Sequence, residues 1–120
     1  MRVQPGTDKL LAKAAREAAA GAAALAAGAP EVAAGRAFSA MLNAAKAVLN
    51  ERGLRLRTHA RIAAAFEPFT PGGDPPLAEW LAAAMARRRS EDPGELTFED
   101  AAELVERAAV FVDAARKRVA

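Results

Sequence analysis

Residues 35–69, GRAFSAMLNAAKAVLNERGLRLRTHARIAAAFEPF, contain a helical period, a stop and a restart. Phe38, Met41, Leu42, Ala45, Val48 and Leu49 recur at the i, i+3, i+4, i+7 spacing that lines one face of an α-helix. The spacing predicts a helix from near Glu31 to about Arg52. Gly53 stands where a left-handed terminating residue is wanted. A loop, Leu54–Arg57, follows. Thr58 is placed to cap a shorter helix ending near Phe66, with Ile62, Phe66 and Phe69 on one side.

On the N-terminal side, a helix is expected from about Asp8 to Ala27, with Thr7 or Asp8 as its cap and Gly28 and Pro30 at its end. Leu10, Leu11, Ala14, Ala18 and Leu25 give it a thin apolar stripe. On the C-terminal side, Pro68 and Pro71-Gly72-Gly73 break the chain. Asp74 then reads as a cap, with Pro75 and Pro76 in the first turn of a helix that buries Leu77, Trp80, Leu81, Ala84 and Met85. That helix closes on Arg87-Arg88-Arg89, cations set against its negative end. Pro93-Gly94 makes a turn. Thr97-Phe98-Glu99-Asp100 resembles a capping box, with Asp100 in the place usually held by Glu. The last helix should run from Phe98 to about Val119 on a stripe of Leu104, Val105, Ala108, Phe111, Val112, Ala115 and Val119. The expected fold is all-α: one domain over residues 1–120, an antiparallel helical bundle of four main helices plus one short helix.

Composition narrows the function. A chain of 120 residues supplies one sizeable core. It has no cysteine, so disulfides, thiolate metal sites and cysteine nucleophiles are excluded, and its one histidine cannot build a multi-histidine zinc site. Charged residues make up 27%, against a disordered or membrane-spanning chain. Residues 18–30, AAAGAAALAAGAP, imitate the apolar part of a signal peptide, but mixed charges precede them and alanine inserts poorly, so a cytoplasmic protein with no membrane partner is expected. With 35 alanines in the chain, alanine-lined faces on the first two helices can pack within the chain or form the seam of a homodimer.

Charge is unevenly placed. Residues 36–61 hold six cations against Glu51 alone, and residues 91–106 hold seven carboxylates and no cation. Such a split can steer a polyanion to one face or zip one helix to another.

His59 is the only histidine, and Arg52, Arg55, Arg57 and Arg61 surround it in the sequence. Imidazole exchanges a proton near neutral pH and could take one from a ribose 2′-hydroxyl, while a guanidinium clamps the phosphate. This chemistry calls for neither a metal nor a cofactor. The alternative is a first-turn histidine bonded to a neighbouring group in a solvated basic loop. Arg88 with Asp92 forms a second candidate phosphate site, or a favourable helix end with a local salt bridge. Arg36 lies seven residues before Asn43, roughly on the same side of the helix. The two could border a polar groove, or Arg36 could face solvent or reach a carboxylate.

These segments together resemble the HEPN domain family of small α-helical proteins. The resemblance lies in Gly35-Arg36, Phe38, Ala40-Met41, Asn43-Ala44-Ala45-Lys46-Ala47, Gly53, Thr58-His59 and Phe66. Arg88, Asp92, the acidic start at Glu99–Glu103 and Phe111-Val112 are compatible with it. It implies a HEPN-like bundle of about five helices, frequently homodimeric. It further implies the toxin-like, RNA- or nucleotide-interacting half of a two-gene toxin–antitoxin pair, whose antitoxin is a minimal nucleotidyltransferase. Many members cut RNA without metal through an Arg, four to six residues, then His. Arg52 and His59, with six residues between them, fit that spacing. The resemblance thus implies His59 and Arg52 as catalytic, and the reading of the residues themselves offers Arg36, Asn43, Arg55, Arg88 and Asp92 as phosphate- or nucleotide-binding candidates. The chain has no tyrosine, so the tyrosine nucleotidylation that silences some members has no acceptor here. A non-catalytic module that binds a nucleotidyltransferase or a nucleotide is the competing expectation, and a dimeric bundle with a structural role is a third.

Overall fold

Alanine, leucine, arginine and glutamate, all strong helix formers, dominate the chain, and the described residues form helices and no strand. The computed structural model describes residues 4–69, 75–89 and 96–119, apart from the side chains of Phe69, Arg88 and Arg89. The helices are α1 (Thr7–Ala26), α2 (Pro30–Glu51), α3 (His59–Phe66), α4 (Leu77–Arg89) and α5 (Phe98–Val119), with a 3₁₀ turn at Glu67–Phe69. The radius of gyration, 13.7 Å, is that of one packed body of this length.

α1 and α2 form an antiparallel hairpin. Gly28, at φ 79°, turns the chain between them, and Pro30 opens α2. Small residues let the two helices come close. A Cβ at Gly21 would stand 3.3 Å from the Ala33 carbonyl oxygen and 3.4 Å from the Arg36 Cβ. Ala14, Ala33 and Ala37 are buried, so these alanines pack within the chain.

α2 is the central helix and packs against all four others. Phe38, Met41, Ala45, Val48 and Leu49 on its expected apolar face are buried, and Leu42 is half-buried. Phe66 of α3 stacks on Phe111 of α5, with ring centroids 5.4 Å apart, and both are fully enclosed. Leu77, Leu81 and Met85 bring α4 onto the same core.

The local stops and starts are those the sequence predicts at three places. Gly53 takes φ 80°, and the amides of Gly53 and Leu54 bond back to the Asn50 and Leu49 carbonyls, closing α2. The Thr58 hydroxyl accepts the Arg61 amide at 3.3 Å, capping α3. Thr97 and Asp100 form a reciprocal capping box at the start of α5.

Two ends differ. α1 is not capped by Thr7 or Asp8. Its N-cap is Gly6, at φ 92°, and no side chain bonds there. Thr7 is buried instead, and its hydroxyl donates to Glu51 at 2.9 Å. α4 starts at Leu77, so Pro75 and Pro76 precede the first turn rather than occupy it. Asp74, the expected cap, lies outside the described residues, as do the 71–73 and 93–94 breaks.

Candidate functional site

The chain between α2 and α3 builds the basic surface. After Gly53 the backbone is irregular through Arg57, and Thr58, in an extended conformation, starts α3. Leu56 is half-buried, while Arg55 and Arg57 are exposed. Arg52, at the end of α2, and Arg61, one turn into α3, are exposed as well. Arg52 also donates to the Val48 carbonyl at 3.4 Å.

His59 is the first residue of α3 and is exposed. Its ring is not adrift in solvent. It meets Phe38 of α2 edge-on, with 5.5 Å between centroids and 64° between planes. The imidazole thereby has a buried aromatic as neighbour while the residue as a whole stays exposed. That contact can orient the imidazole, as proton transfer requires, and Arg52, Arg55, Arg57 and Arg61 are its exposed neighbours along the chain.

The other expected site residues separate. Arg36 turns to α1, where Nη1 bonds both carboxylate oxygens of Glu17 at 3.2 and 3.1 Å. Asn43 is buried, and its amide donates to the Ser39 carbonyl at 2.8 Å one turn back. Each thus has a partner of its own, Arg36 on α1 and Asn43 on its own helix. A seven-residue separation puts their Cα atoms on one side of the helix, but the long arginine leaves for Glu17 and the short amide folds onto its own backbone. The Arg88 side chain and Asp92 lie outside the described residues.

The acidic start of α5 finds cations nearby. Asp100 pairs with Arg87 of α4 at 2.8 Å, and Glu103 pairs with Arg107 on its own helix. The Thr97 amide, opposed by desolvation and aided by the Thr97 hydroxyl and Arg87, lowers the Asp100 carboxyl below its ordinary 3.8. Arg107 also lies over the Trp80 ring, 5.4 Å from its centroid, so it ties α5 to α4.

Beside the basic loop lies a groove of about 210 Å³ that the sequence analysis did not anticipate. Leu10 of α1, Leu49 of α2, Leu54 and Leu56 of the loop and Ile62 of α3 give it aliphatic walls. Lys46, Asn50 and Arg55 complete it. The Asn50 amide is occupied, donating to the Pro5 carbonyl and the Thr7 hydroxyl, each at 2.9 Å. The one available signal was the Leu54-Arg55-Leu56 alternation in a loop, two apolar residues astride a cation.

No helix among the described residues is long and apolar enough to cross a membrane. Comparison with protein-family models, curated proteins and solved structures finds no match to the chain.

Proposed function

We propose that this chain is a HEPN-like domain whose Arg52–Arg61 segment engages RNA, and that His59 serves metal-independent cleavage there, in the toxin half of a two-gene pair. The observation that carries the reading is the exposed His59 ring, braced by Phe38 and set in a segment whose four arginines are all exposed. In this mechanism His59 accepts the proton of a ribose 2′-hydroxyl. The 2′-oxygen attacks phosphorus, the bond to the 5′-oxygen breaks, and that oxygen leaves with a proton from water. A guanidinium, Arg52 by its spacing, neutralises the charge that grows on the phosphoryl oxygens. Pairing of two chains would bring two such sites together.

The purified chain should cut single-stranded RNA in excess chelator and leave 2′,3′-cyclic phosphate ends. His59→Ala should fold, by circular dichroism, and lose the cleavage. A folded variant of equal activity removes His59 from the mechanism.

A second reading is a non-catalytic module for a minimal nucleotidyltransferase or a nucleotide. It is favoured by the fate of Arg36 and Asn43, which spend their polar groups on Glu17 and Ser39 rather than on a shared phosphate site. It requires a stable complex on gel filtration after co-expression with the neighbouring gene's product, and no RNase activity.

A further inference from the structure

We propose that the groove between Leu10, Leu49, Leu56 and Ile62 binds a small amphipathic anion, an aliphatic tail carrying a compact anionic head, for which octanoate is the probe. The groove does not include His59, but it shares Arg55 with the basic segment, so a tail-bearing anion and RNA would meet at that residue.

Size comes first. An apolar cavity of about 150 Å³ stays dry and takes up benzene. The groove, at about 210 Å³, accommodates a body somewhat larger than that ring. Shape and chemistry come next. The walls are four leucines and an isoleucine, with no aromatic side chain among the lining residues, so a flexible aliphatic chain meets matching surface on several sides. Leu54 is 39% exposed, leaving apolar area that a tail would cover.

The polar groups then select the head. The Asn50 side-chain nitrogen already gives both hydrogens, to the Pro5 carbonyl and the Thr7 hydroxyl, so it has none left to donate to an anionic head. Lys46 and Arg55 are the cations of the lining, and no ion pair or hydrogen bond engages either among the described residues. An apolar slot whose lining includes two cationic residues favours an anion over a neutral chain of equal length, because the head can be paired while the tail is desolvated. A bare small anion gains the pairing without the burial, and a neutral chain gains the burial without the pairing.

The test uses the full chain with methyl-labelled leucine and isoleucine, titrated with octanoate, 1-octanol and acetate. Octanoate should move the methyl signals of Leu49, Leu54, Leu56 and Ile62 saturably, with a Kd at least tenfold below that of octanol, and acetate should leave them in place. Lys46→Ala with Arg55→Ala should raise the octanoate Kd at least tenfold and leave the octanol Kd unchanged. Equal affinity for octanoate and octanol overturns the proposal, as do shifts centred on other methyls or the absence of saturation. If the double variant does not fold, the comparison of octanoate with octanol on the unaltered chain still decides.

Discussion

The imidazole of His59 rests edge-on against the ring of Phe38, 5.5 Å between centroids, although the histidine opens α3 and the phenylalanine lies on the buried face of α2. A surface ring held by a core ring loses rotamer freedom before any ligand arrives. Phe38→Leu keeps an apolar side chain of similar volume and should cost under about 1.5 kcal/mol of stability. If the proposed cleavage holds, it should lower kcat several-fold while KM stays within twofold, because the basic residues proposed to hold RNA are untouched. Steady-state kinetics on a fluorogenic RNA, beside a urea melt, separate the two effects. An unchanged kcat would mean that Phe38 does not position the imidazole.

Binding through the basic segment is an electrostatic claim with a thermodynamic readout. Each phosphate of a single strand neutralised by a cation contributes about −0.7 to the slope of log K against log salt. Replacing Arg55, Arg57 and Arg61 together by glutamine should weaken RNA binding and flatten that slope by about 2. Fluorescence anisotropy from low to physiological salt measures both. An unchanged slope would place RNA on another face.

How far the sequence could be read depends on the range of each interaction. The Gly53 stop, the Thr58 cap and the Thr97–Asp100 box involve partners within five residues, and all three are legible as local chemistry. Thr7 offers the same cap chemistry, yet it bonds Glu51 and Asn50, more than forty residues away. Those partners exist only once α1 and α2 lie side by side. For Arg36 the sequence leaves open whether it faces solvent, a groove or a carboxylate: periodicity places Cα atoms, while Glu17, on another helix, decides where the guanidinium goes. The leucine groove draws one residue each from α1 and α3, three from α2 and three from the loop, and no single period along the chain joins the four segments.

Asn50 joins the chain's first described residues to the end of α2. Its amide holds the Pro5 carbonyl and the Thr7 hydroxyl, and that hydroxyl in turn holds Glu51, whose carboxylate also accepts the Gln4 amide. Asn50→Ala leaves two acceptors without this donor and should cost about 1–3 kcal/mol. The urea midpoint should fall with no change in slope, and the amides of residues 7–11 should exchange faster than in the unaltered chain. Unchanged exchange there would show that packing alone holds the start of α1.

Asp100 gives the fold an acid-dependent component of known sign. Its carboxylate accepts the Thr97 amide at 3.2 Å and pairs with Arg87 at 2.8 Å, and both hold its titration below 3.8. A carboxyl depressed in the folded state binds its proton more readily when unfolded, so its stabilisation is fully present above the unfolded value. The stabilisation disappears as pH falls through the lower folded value. Asp100→Asn removes the charge at every pH. The variant should melt lower than the unaltered chain at pH 7, and the gap should persist to about pH 5. It should narrow below pH 4, where the unaltered chain loses the same charge by protonation. Thermal melts of both proteins across pH 2.5–7 measure the gap. A gap that stays constant to the acid end would assign the difference to the helix cap's geometry rather than to its charge.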